Sequence, residues 1–204
     1  IIKKFGCSAI TPELIQRFEK VTGHQAHILL RRGIFFAHRD LNILLDFVEA
    51  KKPVYLYTGR GPSTDAMHLG HLLPFIMTKW LQDVLKCPLV IQITDDEKFF
   101  YQRVDAKQED LSHYSKIADE NIKDIIACGF DPELTFIFKD TEYMGQLYPN
   151  VCRMQKAITY NQIKGIFGLN GSENCGKVAF PAIQAVPCMS SCFPHIFGKR
   201  HDAL

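Results

Sequence analysis

The chain has 204 residues, enough for one well-buried core or for one domain with part of a second. Hydrophobic residues make up 47% and charged residues 23%, the proportions of an ordinary globular protein rather than a disordered or fibrous one. Lys and Arg number 24 against 22 Asp and Glu, a net +2 with no basic block, so bulk charge does not predict nucleic-acid binding and any such contact needs a local patch.

Residues 1–50 form a mixed segment. Thr11-Pro12-Glu13 opens a helix, with Thr11 as its cap and Pro12 first inside. Leu14, Ile15, Phe18 and Val21 follow in helical register, and Gly23 ends it. Arg31-Arg32-Gly33-Ile34-Phe35-Phe36 reads as a hairpin edge or a turn. Arg39-Asp40 then leads into an apolar helix through Leu44, Leu45 and Val48.

From residue 53 the pattern becomes alternating strand and helix. The strands expected are Val54–Tyr57, Leu89–Ile93 and Thr135–Phe138. The second is nearly continuous apolar sequence, as in a parallel strand covered on both faces. One helix is expected from His71 to about Leu85, with Pro74 in its first turn. Another runs from Gln108 to Cys128, along a stripe of Leu111, Tyr114, Ile117, Asn121, Ile125 and Cys128, with Gly129 as its C-cap. This βαβαβ order predicts a doubly wound, parallel α/β sheet.

From Tyr143 the alternation fails. A helical stretch through Val151, Met154, Ile158, Ile163 and Ile166, a glycine-bearing turn from Gly168 to Gly176, and a helix holding Phe180–Ala185 read as the start of a helical insertion. The seven cysteines are scattered, with no Cys-x-x-Cys spacing, which favours neither zinc nor a disulfide framework and fits free thiols in a reducing compartment. Cys188 and Cys192 read as one helix face. No signal peptide and no run of membrane-spanning length occurs.

The polar residues with chemistry cluster at the predicted carboxyl ends of the strands, where open α/β sheets bind ligands. After the first strand comes Thr58-Gly59-Arg60-Gly61, and then Pro62-Ser63-Thr64-Asp65-Ala66-Met67 and His68-Leu69-Gly70-His71 at a helix start. Glycines allow close backbone approach, the helix N-terminus offers free N–H groups, and His68 and His71 are donors to phosphate oxygens, so the geometry asks for a nucleotide. After the second strand comes Thr94-Asp95-Asp96-Glu97-Lys98, and after the third Lys139-Asp140. Gln92, inside an apolar strand, is either a satisfied core amide or part of a site.

Taken whole, the stretch from Tyr57 to His71 resembles the Pro-x-x-x-x-x-His-Ile-Gly-His signature of class I aminoacyl-tRNA synthetases. Its Tyr-Thr-Gly-Arg-Gly-Pro-Ser lead-in is similar to that of the tryptophanyl-tRNA synthetases of the cytosolic, eukaryotic type. Arg31-Arg32-Gly33-Ile34-Phe35-Phe36, Thr94-Asp95-Asp96-Glu97-Lys98, Asp124-Ile125-Ile126-Ala127-Cys128-Gly129-Phe130-Asp131 and Phe180-Pro181-Ala182-Ile183-Gln184-Ala185 extend the likeness over nearly the whole chain. Synthetases of this kind join tryptophan to ATP as tryptophanyl-adenylate, release pyrophosphate, and then esterify the 3′-terminal adenosine of their tRNA.

The resemblance implies a Rossmann-like catalytic domain whose first half spans residues 51–140. An N-terminal extension over the pocket would span 1–50, and the start of a helical insertion with a dimer region 141–204. It implies ATP contacts from Gly59, Arg60, Gly61, His68, Gly70 and His71, with the two histidines catalytic and Arg60 holding a carboxylate or a phosphate. Tyr57 and Gln92 would meet the indole, and Glu97 and Gln184 the α-ammonium. Mg2+ would accompany ATP without a dedicated protein metal site, and the enzyme would be a cytoplasmic homodimer acting on tRNA. The second Rossmann half, its Lys-Met-Ser-Lys-Ser-type loop and an anticodon-binding domain are expected outside these 204 residues, which alone would bind tryptophan weakly and not activate it. The alternatives are a tyrosine enzyme with Asp95 or Asp96 facing the phenol, a cofactor-adenylating nucleotidyltransferase, and a non-catalytic binding module.

Overall fold

The computed structural model describes residue 2 and residues 6–102 and 110–198. Two short strands, β1 (Ser8–Ala9) and β2 (Ala37–His38), pair antiparallel. Between them lie α1 (Pro12–Thr22) and α2 (Ile28–Arg31). Thr11 Oγ1 accepts from Leu14 N at 3.3 Å to start α1, and Gly23, at φ 71°, closes it in the left-handed conformation that glycine adopts without penalty. The Arg31–Phe36 segment is the end of α2 followed by a turn through Gly33. Next come α3 (Leu41–Glu49), β3 (Leu56–Arg60) and α4 (Leu69–Leu85). Leu14, Phe18 and Leu45 bury together against Trp80, Leu81 and Val84, so α1 and α3 are anchored on the outer face of α4.

The central sheet is completed by β4 (Leu89–Ile93) and β5 (Thr135–Lys139), all parallel, in the order β3-β4-β5. Between these strands lie α5 (Asp95–Tyr101) and α6 (Leu111–Ala127). Every residue of β4 is buried, and its side chains alternate between two cores. Leu89, Ile91 and Ile93 pack with Phe75 of α4 and with Ala118 and Ile125 of α6. Val90 faces the other side, where α7 (Asp140–Ala157) and α9 (Cys175–Ala185) contribute Leu147, Val151, Phe180 and Ile183. Burying aliphatic side chains of this kind stabilises the fold by about 1.5–3 kcal/mol each. Between α7 and α9 lies α8 (Tyr160–Phe167), and the described chain ends with two 3₁₀ turns and α10 (Pro194–Phe197).

Four sequence expectations are corrected here. The first strand of the sheet is Leu56–Arg60 rather than Val54–Tyr57, because its register follows β4, with Leu56 opposite Leu89 and Arg60 opposite Ile93. Pro74 lies inside α4 and not in its first turn, since the helix starts at Leu69 with His68 as its cap. Cys188 and Cys192 sit in separate 3₁₀ turns, Val186–Cys188 and Ser190–Cys192, which Pro187 and the extended Met189 keep from joining into one helix. Leu111 is exposed, so the buried stripe of α6 is Tyr114, Ile117, Ala118, Asn121 and Ile125. The expected helix start at Gln108 lies outside the described residues. No disulfide forms among the described cysteines, and no described helix is long and apolar enough to cross a membrane.

Candidate functional site

The sheet register puts Gly59 opposite Gln92 and Gln92 opposite Phe138, so the carboxyl ends of all three strands reach one crevice edge. From β3 the chain turns through residues 61–67 into α4. His68 caps that helix, its Nδ1 accepting from Gly70 N at 3.1 Å, which leaves Nε2 as the nitrogen placed to donate. The His71 ring stacks on that of His68 with centroids 3.6 Å apart and an interplanar angle of 26°. Loss of hydration, then the Arg60, His68 and Lys98 charges, hold the His71 imidazole below its ordinary pKa. The two histidines thus form one stacked pair of ring donors at a helix N-terminus.

The turn is tied down from α6. Asn121 is fully buried, and its amide nitrogen donates to Thr64 O at 2.7 Å while its Oδ1 accepts from Arg60 Nε at 2.9 Å. Three residues on, Asp124 Oδ2 accepts from Met67 N at 3.0 Å. Arg60 Nη2 is buried with no partner, and burial holds this guanidinium below its usual pKa. A partly desolvated cation with an unused donor fits a carboxylate or phosphate oxygen. The sequence placed Asn121 only on an apolar stripe; an amide interrupting such a stripe is the signal that it serves a partner.

On the face of the sheet shared with Val90, a second network runs inward. The Tyr57 hydroxyl lies 2.5 Å from Gln92 Oε1 and 3.0 Å from the backbone oxygen of Gln184. Gln92 is fully buried and donates its Nε2 to Asp140 Oδ1 at 2.7 Å. Asp140 Oδ2 is buried with no hydrogen-bond partner, and the Asp96 carboxyl lies close to the Asp140 carboxyl. Burial first and the Asp96 charge second raise the Asp140 pKa, and burial raises that of Asp96. Burial likewise raises the Tyr57 phenol. Asp140 entered the sequence reading only as the residue ending a strand; that it meets Gln92, 48 positions earlier, is a tertiary fact.

Glu97 is partly exposed, accepts from Thr94 Oγ1 at 2.8 Å and has Lys98 Nζ at 3.9 Å. Gly61 borders it closely: a Cβ at position 61 would stand 2.9 Å from Glu97 Oε2 and 2.5 Å from Lys98 Cε. Gln184 is exposed, and it is its backbone oxygen that reaches Tyr57. Asp95 is fully buried and accepts from Thr141 N at 3.2 Å and Thr141 Oγ1 at 2.5 Å, fixing the start of α7.

A family model for the tRNA synthetases class I (W and Y) matches residues 49–170. This chain belongs to that family. The match takes in Tyr57, Arg60, His68, His71, Gln92, Glu97 and Asp140, and stops short of Gln184. The cytoplasmic tryptophan–tRNA ligases of Rattus norvegicus and of Homo sapiens are each 58% identical over 205 residues, which is 99% of this chain and 42% of those proteins. The solved tryptophanyl-tRNA synthetase from Trypanosoma brucei superposes with a TM-score of 0.90 at 55% identity, covering 97% of this chain and 59% of that one. The chain thus spans less than half the length of the two mammalian relatives. In this member of the family, α4 follows the stacked histidine at its cap and α6 ties down the turn before it.

Proposed function

We propose that this chain carries the amino-acid and ATP sites of a tryptophan–tRNA ligase. The observation that supports this reading is the placement, on two neighbouring strands, of a histidine-bearing helix N-terminus and a hydrogen-bonded Tyr57–Gln92 pair. The first suits phosphate oxygens, and the second offers hydrogen-bond acceptors beside aromatic surface, which an indole N–H requires.

In the reaction the tryptophan carboxylate oxygen attacks the α-phosphorus of ATP in line, and the bond to pyrophosphate breaks. No side-chain nucleophile takes part, so this chain's contribution is positioning and the stabilisation of charge building on phosphate oxygens. His68 through Nε2, His71, and the backbone at Gly59, Gly61 and Gly70 line the nucleotide. Arg60 Nη2 takes a carboxylate or phosphate oxygen. Magnesium would enter as part of the ATP substrate and would neutralise some of the phosphate charge. Glu97 and Gln184 address the α-ammonium. Esterification of the tRNA 3′-terminal adenosine follows at the same crevice, in the cytoplasm.

We read residues 1–50 as an extension towards the pocket, 51–140 as the first catalytic half, and 141–204 as the beginning of a helical insertion that joins two copies as a homodimer. Exposed Tyr148, Tyr160, Ile166 and Phe167 on α7 and α8 support an apolar interface there.

Amino-acid-dependent ATP–pyrophosphate exchange on the protein made from its complete reading frame tests this. Exchange with tryptophan alone is the expected result. Exchange with tyrosine alone would keep the histidine roles and overturn the indole assignment, and exchange with neither would overturn the enzymatic reading.

A further inference from the structure

Tyr57, Gln92, Asp140 and Asp96 form a directional chain. The Tyr57 hydroxyl has one proton and two neighbours, Gln92 Oε1 at 2.5 Å and the Gln184 backbone oxygen at 3.0 Å. Both are acceptors as long as the Gln92 amide points its oxygen at Tyr57. An amide can turn over, and a turned Gln92 would present its NH2 group to Tyr57 and fill the lone pair that a ligand donor would use. What fixes the amide is at its other end. Its nitrogen donates to Asp140 Oδ1 at 2.7 Å, inside a region where Gln92 and Asp140 are both fully buried. A turned amide would set its oxygen against a carboxyl oxygen, with no water to relieve the repulsion. The other oxygen of Asp140 is buried with no hydrogen-bond partner, and the Asp96 carboxyl lies close to that of Asp140. Oδ1 is the Asp140 oxygen that takes the Gln92 N–H, and so acts as the acceptor that orients the amide.

We propose that Asp140 is a positioning and specificity residue of the amino-acid site: by holding Gln92 Nε2 it keeps both groups around the Tyr57 hydroxyl as acceptors, and so makes the slot select a side chain that donates an N–H. The proposal rests on the reading above, that the slot takes tryptophan. Asp140 touches no substrate in this role and acts through Gln92. The sequence consequence is that the acid needed for indole recognition sits at the end of β5, two strands away from Tyr57.

The test compares Asp140→Asn with wild type, both made from the complete reading frame, in ATP–pyrophosphate exchange. Tryptophan is run beside its 3-benzothienyl analogue, in which sulfur replaces the indole N–H and nearly the same volume is kept. Wild type should favour tryptophan strongly, because a site built to pair an N–H rejects a ligand lacking it. Asp140→Asn lets the amide turn over. The KM for tryptophan should rise about tenfold or more while the KM for the analogue stays near its wild-type value, so that the preference shrinks. In a Tyr57→Phe background, Asp140→Asn should add little further loss of preference, because both changes act on one chain.

An unchanged preference in Asp140→Asn, or full additivity with Tyr57→Phe, would overturn the proposal while leaving the enzymatic reading intact. Wild type failing to exchange with tryptophan would overturn the reading and the proposal together. Should Asp140→Asn not fold, side-chain amide NMR of wild type decides. Gln92 NH2 protons that exchange slowly and persist through tryptophan binding support the proposal, and rapid exchange overturns it.

Discussion

The rings of His68 and His71 lie face to face, 3.6 Å between centroids, in the first turn of α4. Two imidazolium ions cannot share that stack without strong repulsion. The lowered pKa of His71 follows from lost hydration and from the Arg60, His68 and Lys98 charges. A histidine whose folded pKa lies below its unfolded value binds fewer protons folded than unfolded, so its contribution to stability is present above about pH 6.5 and is lost as pH falls through the folded pKa. NMR titration of the histidine ring protons should therefore find His71 titrating below pH 6.5, and ATP should move it upward. A free-protein value above 6.5 would refute this account of the site.

Replacing His71 by Ala should slow tryptophan-dependent exchange by about 10²–10³-fold, with the KM for tryptophan little changed, because the donor is required most where charge builds on phosphate. His71→Gln keeps an N–H donor and should retain more activity than Ala. Steady-state exchange kinetics at saturating ATP make the comparison.

Asn121→Ala removes the partner of Arg60 Nε and of the Thr64 carbonyl at once. Leaving such buried groups unpaired costs about 1–3 kcal/mol each. At roughly 2–4 °C per kcal/mol for a chain of this size, thermal unfolding should begin several degrees lower. The KM for ATP should rise too, since the turn before His68 loses its tie to α6. A normal KM for ATP in a destabilised variant would mean that Asn121 serves stability alone.

Two glycine substitutions should part company. In Gly61→Ala the new methyl meets the mobile ends of Lys98 and Glu97 at 2.5 and 2.9 Å, so these side chains swing aside, and the cost should fall on the KM for tryptophan through Glu97. In Gly176→Ala it meets the Phe100 ring at 2.3 Å, which packs against the core shared by α7 and α9 and has little room to move. Overpacking there should cost about 1–3 kcal/mol of stability. Denaturant melts and exchange kinetics on both variants separate the two outcomes.

Gln92→Ala should raise the tryptophan concentration needed for half-maximal exchange by about tenfold or more and also destabilise the fold, because it strips Asp140 Oδ1 of its donor and Tyr57 of one of its two acceptors. Unchanged tryptophan dependence in a folded variant would remove Gln92 from the site.

Much of this architecture was legible because it is local. The apolar run Leu89–Ile93 is the central strand at the bounds the sequence suggested, and the Thr11 cap and Gly23 stop frame α1 as capping chemistry requires. The bounds that moved are those set by distant partners. The start of β3 is fixed by pairing with Leu89, and the start of α4 by the His68 ring reaching back over Gly70, which carried the helix two residues ahead of expectation and left Pro74 in its interior. In the site, His68, His71, Tyr57 and Gln92 were visible as chemistry out of place in its surroundings. Asn121, Asp124 and Asp140 were not, since each acts through a contact some fifty positions away, and periodicity carries no information about such contacts.

The proposed indole acceptor, Gln92, stands next to the last residue of β4, a strand with no exposed residue. Selectivity and fold integrity therefore share one position. A change of side chain there alters what the site admits and what holds the sheet together in the same step, so few substitutions can pass both filters. Tyr57, half-buried, and Gln184, exposed, are under no such double constraint. Any drift of the proposed slot towards a different amino acid would have to begin at its rim, with its floor held fixed.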